Sequence, residues 1–92
     1  MDTFNKETIK IELESLKDWK FKENAIEKHF QFKDFTQALA FIVQVGVKAE
    51  KNNHHPELFN VYNKVTIRLN THDAKGVTHK DINLAKAIDS IQ

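Results

Sequence analysis

The chain has no cysteine, a single proline (Pro56) and only two glycines (Gly46 and Gly76) among its 92 residues. Without cysteine there is no disulfide framework, no thiolate nucleophile and no thiolate zinc site. Two isolated glycines cannot form the glycine-rich loop that cradles phosphates. Ser15 and Ser90 fall in helical patterns, so neither sits in a nucleophile elbow. No stretch approaches the ~18 apolar residues of a membrane helix. The start, Met1-Asp2-Thr3-Phe4-Asn5-Lys6-Glu7, carries no apolar export signal. An excess of one charge is missing too. Fourteen basic residues interleave with thirteen acidic ones for a formal net charge of +1, which argues against a surface that tracks a phosphate backbone. The expectation is one soluble, cytoplasmic domain over residues 1–92, with neither nucleic acid nor membrane as partner.

What is present supports a real core. Hydrophobic residues make up 40% of the chain, with seven Phe and one Trp. A chain of this size buries only ~60–65% of its unfolded surface and is marginal alone, so self-association is expected. Asn5 is a plausible N-cap, and Ile9, Leu13 and Leu16 recur at helical spacing, predicting a helix over 6–16 with Ile11 off the stripe. Residues 19–22 then alternate apolar and charged, Glu23-Asn24 can turn, and Ile26, Lys28, Phe30 and Phe32 share one side of a second strand, Lys28 being the odd member. Asp34 opens the clearest helix, with Gln37 at the capping-box spacing. Its expected buried face is Phe35, Ala38, Leu39, Ile42, Val45, Gly46 and Ala49, widened by Val43 and Val47, and it ends near Asn52 or Asn53. In the second half, Phe59, Val61, Val65, Ile67 and Leu69 put apolar residues at odd positions, with Asn63-Lys64 as the turn. Thr78 then N-caps a last helix carrying Leu84, Ala85, Ile88 and Ile91. The fold class that follows is α+β: a four-stranded antiparallel sheet with helices packed on one face, in the order α-β-β-α-β-β-α.

Chemistry concentrates between Glu50 and Asp81. His54 and His55 adjoin Pro56, which biases His55 to an extended backbone, so the pair lies on a helix exit. His72 ends the following strand-like run. Imidazole is the side chain that gives or takes a proton near neutral pH without special surroundings. The bland reading keeps His54 and His55 as surface loop residues. Against it, Glu50 stands four residues before His54, within reach if the helix persists. A lysine partner is the plain alternative for Glu50. Asp81, three residues after Thr78, fits the capping-box partner position and can do that while facing His72. A metal bound by His54, His55, His72 and Asp81 is disfavoured because adjacent histidines point apart and no zinc motif is present. His29 and His79 are read as solvent-facing.

Glu50, His54-His55-Pro56, Tyr62, His72 and Asp81 fall at the spacings of the pterin-4a-carbinolamine dehydratase signature. Phe32-Lys33-Asp34-Phe35, Phe59-Asn60-Val61-Tyr62-Asn63-Lys64-Val65, Thr71-His72 and Asp81-Ile82-Asn83-Leu84-Ala85 extend the match. From roughly Leu16 to Ile91 the chain resembles that family. The resemblance implies the fold just read, a homodimer or homotetramer, and dehydration of 4a-hydroxytetrahydropterin (4a-hydroxytetrahydrobiopterin) to quinonoid dihydropterin in tetrahydrobiopterin recycling. It implies neither cofactor nor metal. By resemblance His54 and His72 are the acid–base pair and His55 holds the pterin and takes the N5 proton, while Glu50 and Asp81 orient the imidazoles. Asn53, Asn70 and Thr71 match positions lining the pterin site, together with Pro56 and Leu58. Two positions depart from the family pattern: Leu58 replaces an aromatic residue, and Asn53 an acid. Animal members also serve as dimerisation cofactors of a homeodomain transcription factor, so a binding module or weakly catalytic relative is the alternative reading.

Overall fold

The computed structural model describes residues 3–91. Its elements are α1 (Lys6–Leu13), β1 (Lys20–Lys22), β2 (Ala25–Gln31), α2 (Phe35–Lys51), β3 (Glu57–Val61), β4 (Lys64–Leu69), a short 3-10 turn (His72–Ala74) and α3 (His79–Asp89). The four strands form one antiparallel sheet in the order β1-β2-β4-β3. Strand β4 pairs antiparallel with both β2 and β3, so β2 and β3 run parallel, and parallel strands need a crossover. Helix α2 is that crossover. It must leave the end of the sheet where β3 begins, and β4 ends there too because Glu57 pairs with Arg68. The exit of α2 and the exit of β4 are thereby brought together.

The register fixes the core. Ile26, Phe30, Val65, Ile67 and Leu69 meet Ile9 of α1, Ala38, Phe41, Val45 and Ala49 of α2, and Ile82, Leu84, Ala85 and Ile88 of α3 in one buried cluster. Lys28 lies on this face, and its ammonium finds Asp89 at 3.0 Å. The same carboxylate accepts the indole N–H of Trp19 at 3.1 Å, so the charge is matched where it leaves water. The opposite face carries Glu27, His29, Gln31, Lys64, Thr66 and Arg68 and is open.

Several expectations are corrected. Helix α1 ends at Leu13, not Leu16, because i→i+3 bonds such as Leu16 N–H to Leu13 O tighten its last turn. Leu16 still reaches the core. The buried face of α2 is rotated: Phe41 belongs to it, whereas Phe35 and Leu39 are 46% and 43% exposed and Gly46 is also exposed. From Phe35 to Val47 this helix carries no charge and its only polar residues are Thr36, Gln37 and Gln44, so periodicity marks its polar side weakly. The β3–β4 turn is Tyr62-Asn63, with Tyr62 at φ 52°, one residue earlier than expected. A two-residue turn pairs Val61 with Lys64 and Asn60 with Val65, so the odd residues of β3 stand opposite the even residues of β4 and not the odd ones. Leu58 and Asn60 share the core side with Ile67 and Val65, while Phe59 and Val61 sit with Thr66 and Lys64 on the open side. Strand β4 stops at Leu69, so His72 lies in the 3-10 turn rather than at a strand end, and Ile91 lies beyond α3, half-buried.

Candidate active site

Helix α2 ends in a Schellman motif. Asn52 is the C-cap, Asn53 takes the left-handed conformation at φ 49°, Asn53 N–H bonds Glu50 O at 3.1 Å and His54 N–H bonds Ala49 O at 3.1 Å. Asparagine is the side chain that tolerates this conformation next best to glycine. The reversal it makes turns His54 inward and leaves His55 outside.

His54 is 9% exposed and its Nε2 donates to Asp81 Oδ1 at 2.6 Å. Asp81 is fully buried in the first turn of α3. Its other oxygen, Oδ2, accepts from Thr78 N–H at 2.9 Å, closing a capping box, and from the Thr71 hydroxyl at 2.9 Å. The Thr71 and Thr78 hydroxyls are 2.6 Å apart. Thr71 is held here by an isolated bridge to Gly76. A side chain at position 76 would strike Thr3, since a Cβ built there falls 2.9 Å from Thr3 Cγ2. A carboxylate that already accepts two bonds at Oδ2 takes its third from an Nε2–H, which assigns the tautomer of His54. Its Nδ1 bonds no described residue, and no buried side-chain N or O among them lacks a partner, so Nδ1 reaches the surface. His54 thus offers one free lone pair when neutral and one free proton when charged.

His55 Nε2 meets Glu50 Oε1 at 2.6 Å, both side chains being mostly exposed. The expected partners are therefore exchanged: Glu50 holds His55 rather than His54, and Asp81 faces His54 rather than His72. The physical reason is the Schellman turn, which ends the helical spacing before residue 54. His72 is exposed, one residue beyond Thr71, without a hydrogen bond to a described side chain. Asn53 and Leu58 are exposed, and Pro56 and Asn70 half-buried. Among the described residues no three His, Asp or Glu side chains converge as a metal ligand set. His29 is solvent-facing, as read, yet both its nitrogens are used, Nε2 by Glu27 and Nδ1 by the Thr66 hydroxyl.

A concavity of about 350 Å³ lies elsewhere, on the open sheet face between Phe59, Val61 and His29. Depth does not mark the catalytic candidate; a buried imidazole–carboxylate pair with one free nitrogen does. What sequence reasoning missed is the Thr71–Thr78–Asp81–His54 chain of bonds. The Thr78–Asp81 spacing was visible, but the contact to His54 spans 27 residues, and no local pattern carries it.

The family model described as "Pterin 4 alpha carbinolamine dehydratase" matches residues 2–91. A protein of Burkholderia pseudomallei (strain 1710b), named "Putative pterin-4-alpha-carbinolamine dehydratase", is 47% identical over 87 residues, covering 92% of this chain and 86% of its own. One of the same name from Rhizobium leguminosarum bv. trifolii is 44% identical over 91 residues, covering 97% and 90%. Among solved structures, a transcriptional coactivator/pterin dehydratase from Brucella melitensis superposes with a TM-score of 0.93 at 38% identity, covering 98% of both chains. A pterin dehydratase-like RuBisCO assembly factor of the alpha-carboxysome shares the fold with a TM-score of 0.65 at 20% identity, covering 79% of this chain and 84% of its own. With a matching model along nearly its whole length and relatives this similar, the chain belongs to the pterin-4a-carbinolamine dehydratase family.

Proposed function

We propose that this protein dehydrates 4a-hydroxytetrahydropterin to quinonoid dihydropterin by general acid–base catalysis, within tetrahydrobiopterin recycling. The reaction breaks the C4a–O bond, forms C4a=N5 and releases the N5 proton. Hydroxide leaves poorly, so an acid must deliver a proton to it as water departs, and a base must take the N5 proton. Neither a redox partner nor a covalent intermediate is required. One observation carries the reading: the buried His54–Asp81 pair, whose free Nδ1 is the kind of group that exchanges a proton in both directions. His72 is the second acid–base group. His55, oriented by Glu50, holds the pterin and takes the N5 proton. Asn53, Pro56, Leu58 and Asn70 border the ring. Positioned acid–base catalysis contributes about 10²–10⁴-fold.

The test supplies freshly made 4a-hydroxytetrahydropterin and follows quinonoid product against the spontaneous rate. Acceleration lost in His54→Ala supports the assignment, and an uncatalysed rate with the wild-type chain overturns it. A second reading, a binding module or dimerisation cofactor, is favoured by one feature, the exposed apolar stripe Phe35, Leu39, Val43 and Val47 on α2. Under that reading, charged substitutions on the stripe abolish function while His54→Ala does not.

A further inference from the structure

Thr71 and Thr78 are buried (5% and 0% exposed), and every hydrogen-bonding group they own is committed inward. The direction of the chain follows from chemistry. Lys80 N–H can only donate, and it points at Thr78 Oγ1 from 3.2 Å. Asp81 Oδ2 stands at the other end, 2.9 Å from Thr71 Oγ1. Each hydroxyl has one proton, so Thr78 donates to Thr71 across 2.6 Å and Thr71 donates to Asp81. With the opposite order, Oδ2 loses a donor and the Thr78 proton has no described acceptor. Hydrogen bonds aligned this way polarise one another. A helix cap needs only the Thr78 bond to Lys80 N–H and the Asp81 bond to Thr78 N–H. The link to Thr71, on a different element, is additional to capping.

We propose that Thr71 and Thr78 are positioning residues: their two hydroxyls lock the Asp81 carboxylate so that it accepts only from His54 Nε2 and leaves Nδ1 as the proton-exchanging atom. On this view Thr71 does not contact the pterin, although its position in the family pattern lies beside it. The kinetic consequence rests on the dehydratase reading; the effect on the His54 ring does not.

The experiment uses the full chain as wild type, Thr71→Val (near-isosteric, hydroxyl deleted) and Thr71→Ser (hydroxyl kept). Long-range ¹H–¹⁵N NMR correlations of the His54 ring report its tautomer. Steady-state kinetics with 4a-hydroxytetrahydropterin report kcat and KM separately. In the wild type the neutral ring carries its proton on Nε2. In Thr71→Val both tautomers appear and kcat falls about tenfold, roughly 1.4 kcal/mol, with KM within about twofold. Thr71→Ser restores both. A wild-type ring protonated on Nδ1 overturns the proposal without any variant, should Thr71→Val fail to fold. So does a Thr71→Val chain with a single Nε2–H tautomer and undiminished kcat, which leaves the bonds a mere staple. A rise in KM at constant kcat also overturns it and makes Thr71 a ligand. If no turnover is found at all, the functional reading fails, while the tautomer comparison still decides the positioning role.

Discussion

His54 and His55 are adjacent in sequence and opposite in environment. His54 is 9% exposed and bonded to a buried carboxylate, whereas the His55 side chain is 61% exposed and its partner Glu50 is more exposed still. Replacing them by alanine separates chemistry from stability. Histidines at the ends of elements, away from the apolar faces, are expected to tolerate alanine without loss of the fold. Burial changes that expectation for one. His54→Ala removes one of three donors to Asp81, so we expect a loss of about 1–3 kcal/mol in urea unfolding together with lost activity. His55→Ala and His72→Ala stay within about 0.5 kcal/mol of wild type and lose activity only. Full activity in all three sinks the catalytic assignment. On the open sheet face, the Arg68 guanidinium at 2.9 Å holds the Glu27 carboxyl below its ordinary value of 4.5, against burial, which raises it, and with smaller help from His29 and Lys22. A depressed carboxylate contributes stability that is present above its ordinary value and lost as pH falls through the folded one. Glu27→Gln should therefore flatten the fall in thermal midpoint below about pH 4.5. Parallel curves for variant and wild type refute this.

At the scale of elements, the decisive feature is how α2 stops. Asn53 at φ 49° permits the two Schellman bonds, and those bonds aim His54 at α3. A β-branched residue cannot take this conformation cheaply; the left-handed region costs side-chain-bearing residues about 1–2 kcal/mol. Asn53→Val should lose about that much stability relative to Asn53→Gly, which we expect near wild type. It should also lower activity by turning His54 from Asp81. Equal stabilities for the two variants, measured in denaturant, mean the turn is not held by residue 53.

The whole molecule is unfinished at two surfaces. Helix α2 presents Phe35, Leu39, Val43 and Val47, exposed by 43 to 66%. Strand β3 is a sheet edge without proline, flanked on the open face by exposed Phe59 and Val61. Unpaired edges and apolar stripes of this kind favour association. We expect a symmetric dimer or tetramer at micromolar concentration in sedimentation, shifted towards smaller species by Val43→Glu. A monomer at that concentration counts against it.

The order of elements, the caps Asn5, Asp34 and Thr78, and the histidine-bearing exit of α2 are determined by the sequence, because each rests on contacts within a few residues. Period and capping are local physics. The tertiary structure alone decided which side of α2 is buried, since Thr36, Gln37 and Gln44 are the only polar residues from Phe35 to Val47 and mark a polar side weakly, and which face of β3 meets the core, since Leu58, Phe59 and Val61 put apolar residues on both faces and only the pairing with β4 chooses between them. It alone decided the partner of each imidazole as well. Glu50 and Asp81 were both within reach on paper. The Schellman reversal and the Thr71–Gly76 bridge, acting on backbone direction rather than on side-chain type, gave His55 to one and His54 to the other.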